Sequence, residues 1–216
     1  MRPDDVGTKH DFDMVDGTQE VFRLLLDALA NPGRPVNLGS QVKQFASNGR
    51  WLAPALTVLD NETGFYWNGS PETAEEIRFL SGAAQVPLEK ADFVFLSLPD
   101  ENPEAVSIAN NMANNMANNM AVEVLSKVKS GTHRDPHDSA LVFIAAGGEA
   151  DQAITIMGPG IPPEGRNVPL SAAEAAWVKA RDAQGFEYPC GVEVVFLRED
   201  NSLLAVTRKA AVTWPM

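Results

Sequence analysis

The strongest periodicity in the chain lies over residues 16–30, where Val21, Phe22, Leu25, Leu26 and Leu29 recur at helical spacing. It predicts an amphipathic helix in DGTQEVFRLLLDALANPG with these five residues on one face. Asp16 and Gln19 have the spacing of a capping box at its start. Asn31-Pro32-Gly33 ends it, because proline disfavours helical geometry in the residue before it and glycine tolerates positive φ. Arg34 follows that stop directly. SAAEAAWVKARDAQG predicts a second strong helix, with Ser171 and Glu174 as its capping box and Gly185 beyond its end. Shorter helices are predicted for WLAPALTVLD at 51–60 and for PETAEEIRFLSG at 71–82, the latter opened by Pro71 and closed by Gly82.

Between the helices lie short apolar or alternating runs of strand character: TGFYWNG at 63–69, DFVFLSL at 92–98, LVFIAA at 141–146, AITIM, GVEVVFLR and LLAVTR. LVFIAA and AITIM, joined through GGEADQ, are expected to form a hairpin. So are GVEVVFLR and LLAVTR across EDNS. Connections this short join antiparallel neighbours, whereas the intervening helices suit parallel ones. The expected fold is therefore α/β, a mixed central sheet flanked by helices, with residues 1–216 as one domain.

One segment departs from this alternation. Ala-Asn-Asn-Met occurs three times between Ala109 and Met120. A period of four places Met112, Met116 and Met120 on a slowly drifting helical stripe. Pro103 and Gly131 bracket a predicted helical insertion at 104–129. The stripe has two readings, an adaptable docking surface or ordinary packing at the domain edge.

Charge narrows the partners. With 29 acidic and 17 basic side chains the formal net charge is -12. Such a surface repels nucleic acid and anionic lipid, and it disfavours a nucleotide triphosphate unless basic groups gather locally. The one cysteine, Cys190, excludes an intramolecular disulfide and a thiolate zinc cluster. The opening MRPDDVGTKHDFD has no apolar stretch of a secretory signal, and no run approaches the ~18 apolar residues of a membrane span. A cytoplasmic location is expected.

Standard catalytic signatures are missing: there is no Gly-x-Ser-x-Gly, no Walker-type Gly-x-x-x-x-Gly-Lys and no Gly-x-Gly-x-x-Gly. His133 and His137 have the spacing of a helical metal pair, but Pro136 between them removes the helix that gives the spacing meaning. No metal site is expected. Cys190 lacks a basic neighbour or helix start to activate it. In ITIMGPGIPP, residues 154–163, a proline occupies the middle of Gly158-Pro159-Gly160 and donates no N–H. A phosphate cradle needs successive N–H donors, so a rigid turn is the better reading of this stretch.

Taken together, VFRLLLDALANPG, RFLSGA at 78–83, GTHRDPHDSALVFI, MGPGI and YPCGVEVVFL resemble the PhnH family of the carbon–phosphorus lyase system, in order and spacing over nearly the whole chain. There are departures. Arg78-Phe79-Leu80-Ser81-Gly82 stands where the family tends to carry a histidine in the third place, and Val206-Thr207-Arg208-Lys209 keeps only the arginine of a Pro-Arg-Thr-Thr-like ending. The resemblance implies a fold like the large domain of pyridoxal-phosphate-dependent transferases, without the cofactor site. It implies a homodimer that joins other Phn subunits (PhnG, PhnI, PhnJ, PhnK and PhnL). Their shared reaction displaces adenine from ATP with methylphosphonate, giving α-D-ribose 1-methylphosphonate 5-triphosphate.

Three readings follow: a subunit contributing to a shared transferase site, a non-catalytic assembly subunit, and a stand-alone pyridoxal-phosphate enzyme. The last needs a pocketed Schiff-base lysine, and Lys43, Lys90, Lys127, Lys129 and Lys179 all lie in polar or surface-like contexts. No catalytic residue and no cofactor is assigned. Arg34, Gly158, Gly160 and Arg208 are the candidate anion-binding or interface residues, with the two arginines as the charge carriers.

Overall fold

The computed structural model describes residues 10–98 and 109–215, with side chains for all of these except 109–116. A seven-stranded sheet forms the centre, in the order β1-β9-β8-β5-β4-β2-β3, and a three-stranded sheet runs β10-β6-β7. In the large sheet the strands are β1 (Val36–Asn37), β2 (Gly64–Trp67), β3 (Ala84–Gln85), β4 (Phe93–Ser97), β5 (Leu141–Ala145), β8 (Glu193–Leu197) and β9 (Ser202–Val206). The small sheet is built from β6 (Gln152–Met157), β7 (Arg166–Leu170) and β10 (Ala211–Thr213). The expected mixed sheet flanked by helices is thus present. Strands β3, β2, β4, β5 and β8 run parallel, and β9 and β1 add antiparallel pairs at one side.

The pleat sends alternate residues of each central strand to opposite faces, and two cores result. On one face Phe65, Phe95, Phe143, Val195 and Leu203 pack against α1 (Asp16–Ala30), α3 (Gly49–Val58) and α4 (Pro71–Ser81). The Phe95 and Phe143 rings stack there with centroids 4.9 Å apart. On the other face Val94, Val142, Ile144, Val194 and Phe196 pack against α5 (Ala109–Lys127), α6 (Ala172–Ala183) and the small sheet. The short α2 (Gly39–Val42) completes the helices. Helix α4 links parallel β2 and β3, and α5 links parallel β4 and β5, the crossover that such pairs require.

Local signals explain most of these elements. Ser171 accepts the Glu174 N–H at 3.3 Å while Glu174 Oε2 accepts the Ser171 N–H at 2.9 Å, so the expected capping box of α6 is formed. Ser70 caps α4 ahead of Pro71, and Gly82 ends it in the left-handed region. The 193–206 hairpin also forms, pairing Val195 with Ala205.

Three expectations are corrected. Asp16 and Gln19 form no capping box; Asp13 Oδ1 instead accepts the N–H groups of Val15 at 2.7 Å and Asp16 at 2.8 Å. On α1, Val21, Leu25 and Ala28 are buried, but Phe22 and Leu26 face outward, because the helix rests on α3 along a narrow stripe. And β5 does not pair with β6. It lies between β4 and β8, while β6 forms its hairpin with β7. Of the methionine stripe, Met120 packs half-buried on the second core beside α5 residues Ala121, Val124 and Leu125. Residues 104–108 of the expected helix and the Met112 and Met116 side chains fall outside the description.

Candidate functional site

Two places gather the singled-out glycines and arginines. The first is the hairpin turn between β6 and β7, which carries Gly158-Pro159-Gly160. It sits against the end of α1. A Cβ at Gly160 (φ 77°) would lie 1.9 Å from the Ala30 carbonyl oxygen, and one at Gly33 (φ 74°) would lie 2.5 Å from both Ile156 Cδ1 and Val168 Cγ2. Only glycine admits both the contact and the dihedral. Arg166 of β7 closes the joint: its Nη1 donates to the carbonyl oxygens of Asn31, at 3.0 Å, and Pro32. Asn31 O also accepts the Arg34 N–H at 3.1 Å, so the chain just past the end of α1 is tied from two sides. The Gly33 N–H in turn donates to Ala205 O of β9 at 2.8 Å. The Asn-Pro-Gly helix stop and the Gly-Pro-Gly turn therefore lock the small sheet to α1 and to the large sheet. The turn expected in ITIMGPGIPP is what the structure contains.

Arg34, one residue past that joint, forms an ion pair with Asp27 of α1, and its side chain remains 51% exposed. Gly158 (φ 141°) touches a different neighbour, since a Cβ there would come 2.8 Å from Lys209 O. The Gly-Pro-Gly turn thus contacts α1 through one glycine and the Thr207–Ala210 turn through the other.

That second turn, between β9 and β10, borders a cleft of about 450 Å³. Arg181, Asp182, Phe186, Tyr188, Arg208 and Lys209 line it, three cations to one anion. Glu193 pairs with Arg208 from behind, so in a chain of net charge -12 the cleft keeps an excess of one positive charge. The wall is made by Arg181. Its side chain is only 6% exposed, and its Nη1 and Nη2 donate to the carbonyls of Thr207 and Ala210, the latter at 2.8 Å. Burial pulls this guanidinium below the usual arginine value, and the carboxylates of Asp182 and Glu193 oppose that shift. It pins the turn that carries the other two cations.

Arg208 is held from three directions. Its Nε donates to Glu193 Oε1 at 2.7 Å, its backbone N–H donates to Glu193 Oε2 at 2.8 Å, and its Nη1 donates to Pro136 O at 2.6 Å. Gly191 (φ 137°) makes room, because a Cβ there would stand 3.0 Å from Arg208 Cβ. Two sequence motifs, GTHRDPHDSA and YPCGVEVV, thus converge on one guanidinium. Among the described residues, Arg208 Nη2 has no hydrogen-bond partner. Lys209 is exposed, with its Nζ 5.2 Å from the centre of the Tyr188 ring and no carboxylate partner among the described residues.

The structure thus puts Arg208 in the cleft and Arg34 in a separate ion pair. Gly158 backs the cleft-bordering turn, and Gly160 belongs to the joint. Sequence reasoning missed Arg181, Arg166 and Lys209. A signal for Lys209 was available in its adjacency to Arg208 after an apolar strand. His133 and His137 lie in exposed contacts with Glu187 and Asp138, both at 3.6 Å, and no group of three metal-ligating side chains occurs among the described residues. Among those residues no helix is long and apolar enough to cross a membrane.

A comparison with curated proteins finds none that matches this chain. A family model does match it. The model is described as bacterial phosphonate metabolism protein (PhnH), and it covers residues 10–213, from the His10 bridge through the last strand, β10. With both clusters of motif residues inside that span, the chain belongs to the PhnH family of bacterial phosphonate metabolism proteins.

Proposed function

We propose that the protein is a subunit of the carbon–phosphorus lyase machinery that contributes to a shared site and depends on its partners for turnover. With PhnG, PhnI, PhnJ, PhnK and PhnL it takes part in displacing adenine from ATP by methylphosphonate, forming α-D-ribose 1-methylphosphonate 5-triphosphate. The family match over residues 10–213 is the observation that carries this reading. The cleft at Arg208 supports it, since a reaction between two phosphorus anions needs positive charge where the rest of the surface is negative. Of the residues singled out in the sequence, Arg208 is the one placed to face an anion. Arg34, Gly158 and Gly160 serve the architecture that carries it. Lys43, Lys90, Lys127 and Lys179 are exposed and Lys129 pairs with Asp92, so none resembles a pocketed Schiff-base lysine.

The alternative, a purely structural subunit, has one specific observation in its favour. Met14, Val15, Phe22 and Leu26 leave an apolar strip exposed at the start and along the outer face of α1, the kind of surface that a dimer or a larger assembly covers. Adenine release from ATP plus methylphosphonate separates the two. The shared-site reading expects release only when the sister subunits are present, and a large loss in that mixture with Arg208→Ala. Turnover by the isolated chain would overturn the dependence on partners. A fully active Arg208→Ala assembly would leave the structural reading.

A further inference from the structure

The cleft between the end of α6 and the β9–β10 turn keeps two cationic donors that the fold does not consume. Arg181 is spent: it is buried and its guanidinium is tied to the Thr207 and Ala210 carbonyls. Arg208 is partly spent, with Nε and Nη1 committed to Glu193 and Pro136 while Nη2 has no partner among the described residues. Lys209 contributes a whole ammonium whose neighbour is the face of Tyr188. Tyr188 itself is 68% exposed, which is unusual for a large aromatic side chain with no ring stacked on it among the described residues.

From this arrangement we infer that the cleft binds a tetrahedral phosphorus oxyanion, a phosphonate or phosphate group, through Lys209 Nζ and Arg208 Nη2, with the Tyr188 face covering the ligand's apolar substituent. This deepens the shared-site reading and rests on it for the identity of the anion. Charge supports the choice of ligand class. One free guanidinium nitrogen and one ammonium on consecutive residues can each donate a charge-assisted hydrogen bond to an oxygen of a single tetrahedral group. Size supports it too, since about 450 Å³ holds a small anion with a short substituent or a sugar. The rigid Arg181 clamp matters because a preset turn spares the ordering cost of binding.

The test is calorimetric titration of the purified full chain at low salt with methylphosphonate, inorganic phosphate and ATP in separate runs. Lys209→Gln is the principal variant, chosen because the side chain is exposed and its loss leaves the fold intact, which thermal unfolding verifies. Lys43→Gln, on the exposed α2–α3 connection, is the charge-matched control. The inference predicts saturable binding of at least one of the three anions, weakened about five- to tenfold by Lys209→Gln and unchanged by Lys43→Gln. The run that binds tightest identifies the anion's source. No saturable binding in any run, or equal loss in both variants, overturns the inference. Failure here is separable from failure of the shared-site reading. If the assembled subunits turn over while Lys209→Gln binds every anion as the parent does, the cleft assignment falls and the subunit role stands. If anion binding behaves as predicted while the full assembly is silent, the cleft stands and the subunit role falls.

Discussion

The joint at the end of α1 and the cleft beside the β9–β10 turn are built from the same materials, positive-φ glycines and arginines, and they put them to opposite uses. In the joint, Arg166 gives Nη1 to two backbone carbonyls, and Gly33 and Gly160 bring chain segments so close that no ligand could enter. In the cleft, Gly191 makes room for Arg208, and a guanidinium nitrogen and an ammonium remain without carboxylate or carbonyl partners among the described residues. The number of glycines or arginines in a motif therefore says little about binding. What separates scaffold from site is whether the donors are already satisfied.

The largest break in this comparison is expected at Gly160. Alanine there places a methyl carbon 1.9 Å from the Ala30 carbonyl oxygen, at a left-handed backbone (φ 77°) that alanine disfavours. Gly160→Ala should destabilise the protein by more than ~3 kcal/mol, in the tail reserved for backbone clashes and strain. Urea unfolding measures this, and a midpoint within error of the parent would show that the joint is not rigid. Next comes Arg166→Met, which keeps the aliphatic packing and removes the hydrogen bonds to the Asn31 and Pro32 carbonyls. A loss of ~1–3 kcal/mol is expected, with anion affinity in the cleft unchanged. If Arg166→Met instead abolished anion binding, the two regions would not be independent.

The smallest effect is predicted far from both. Asp92 ties together the starts of three parallel strands. Its Oδ2 accepts the Gly64 N–H at 2.8 Å, its Oδ1 takes Lys129 Nζ, and its carbonyl accepts the Leu141 N–H at 3.0 Å. Burial raises the carboxyl's pKa, but the Lys129 and Gly64 contacts together outweigh burial, so it lies below the ordinary aspartate value of 3.8. A depressed folded value means stability that is fully present above the unfolded value and is lost as pH falls through the folded one. Asp92→Asn should therefore flatten the acid limb of the stability profile below pH ~4 while leaving the joint and the cleft untouched. Parallel acid limbs for parent and variant in denaturation at stepped pH would contradict the assignment.

How much of this could be read from the chain depended on the range of the determining contacts. Helix α6 was legible because Ser171 and Glu174 satisfy each other within one turn. The α1 start was not, because Asp13 supplied the cap from outside the periodic stretch. Pairing β5 with β6 followed from the short connection alone. The burial patterns tell them apart: β5 has four of five residues buried, as befits a central parallel strand covered on both faces, while β6 alternates more nearly, as a strand of a small sheet does. Of the site, Arg208 was legible as the first charge after an apolar strand. Its meaning was not, because Pro136 and Glu193 reach it from separate elements, and Arg181 and Tyr188 join the cleft from two more.

An anion that enters the cleft and not the Gly-Pro-Gly joint perturbs the backbone of one and not of the other. Amide chemical-shift mapping of the full chain during titration with methylphosphonate asks this directly. The predicted result is a saturable set of shifts at residues 185–188 and 207–211, with residues 31–34 and 160–165 silent. Shifts that begin at 31–34 and 160–165 while 207–211 stay still would contradict it.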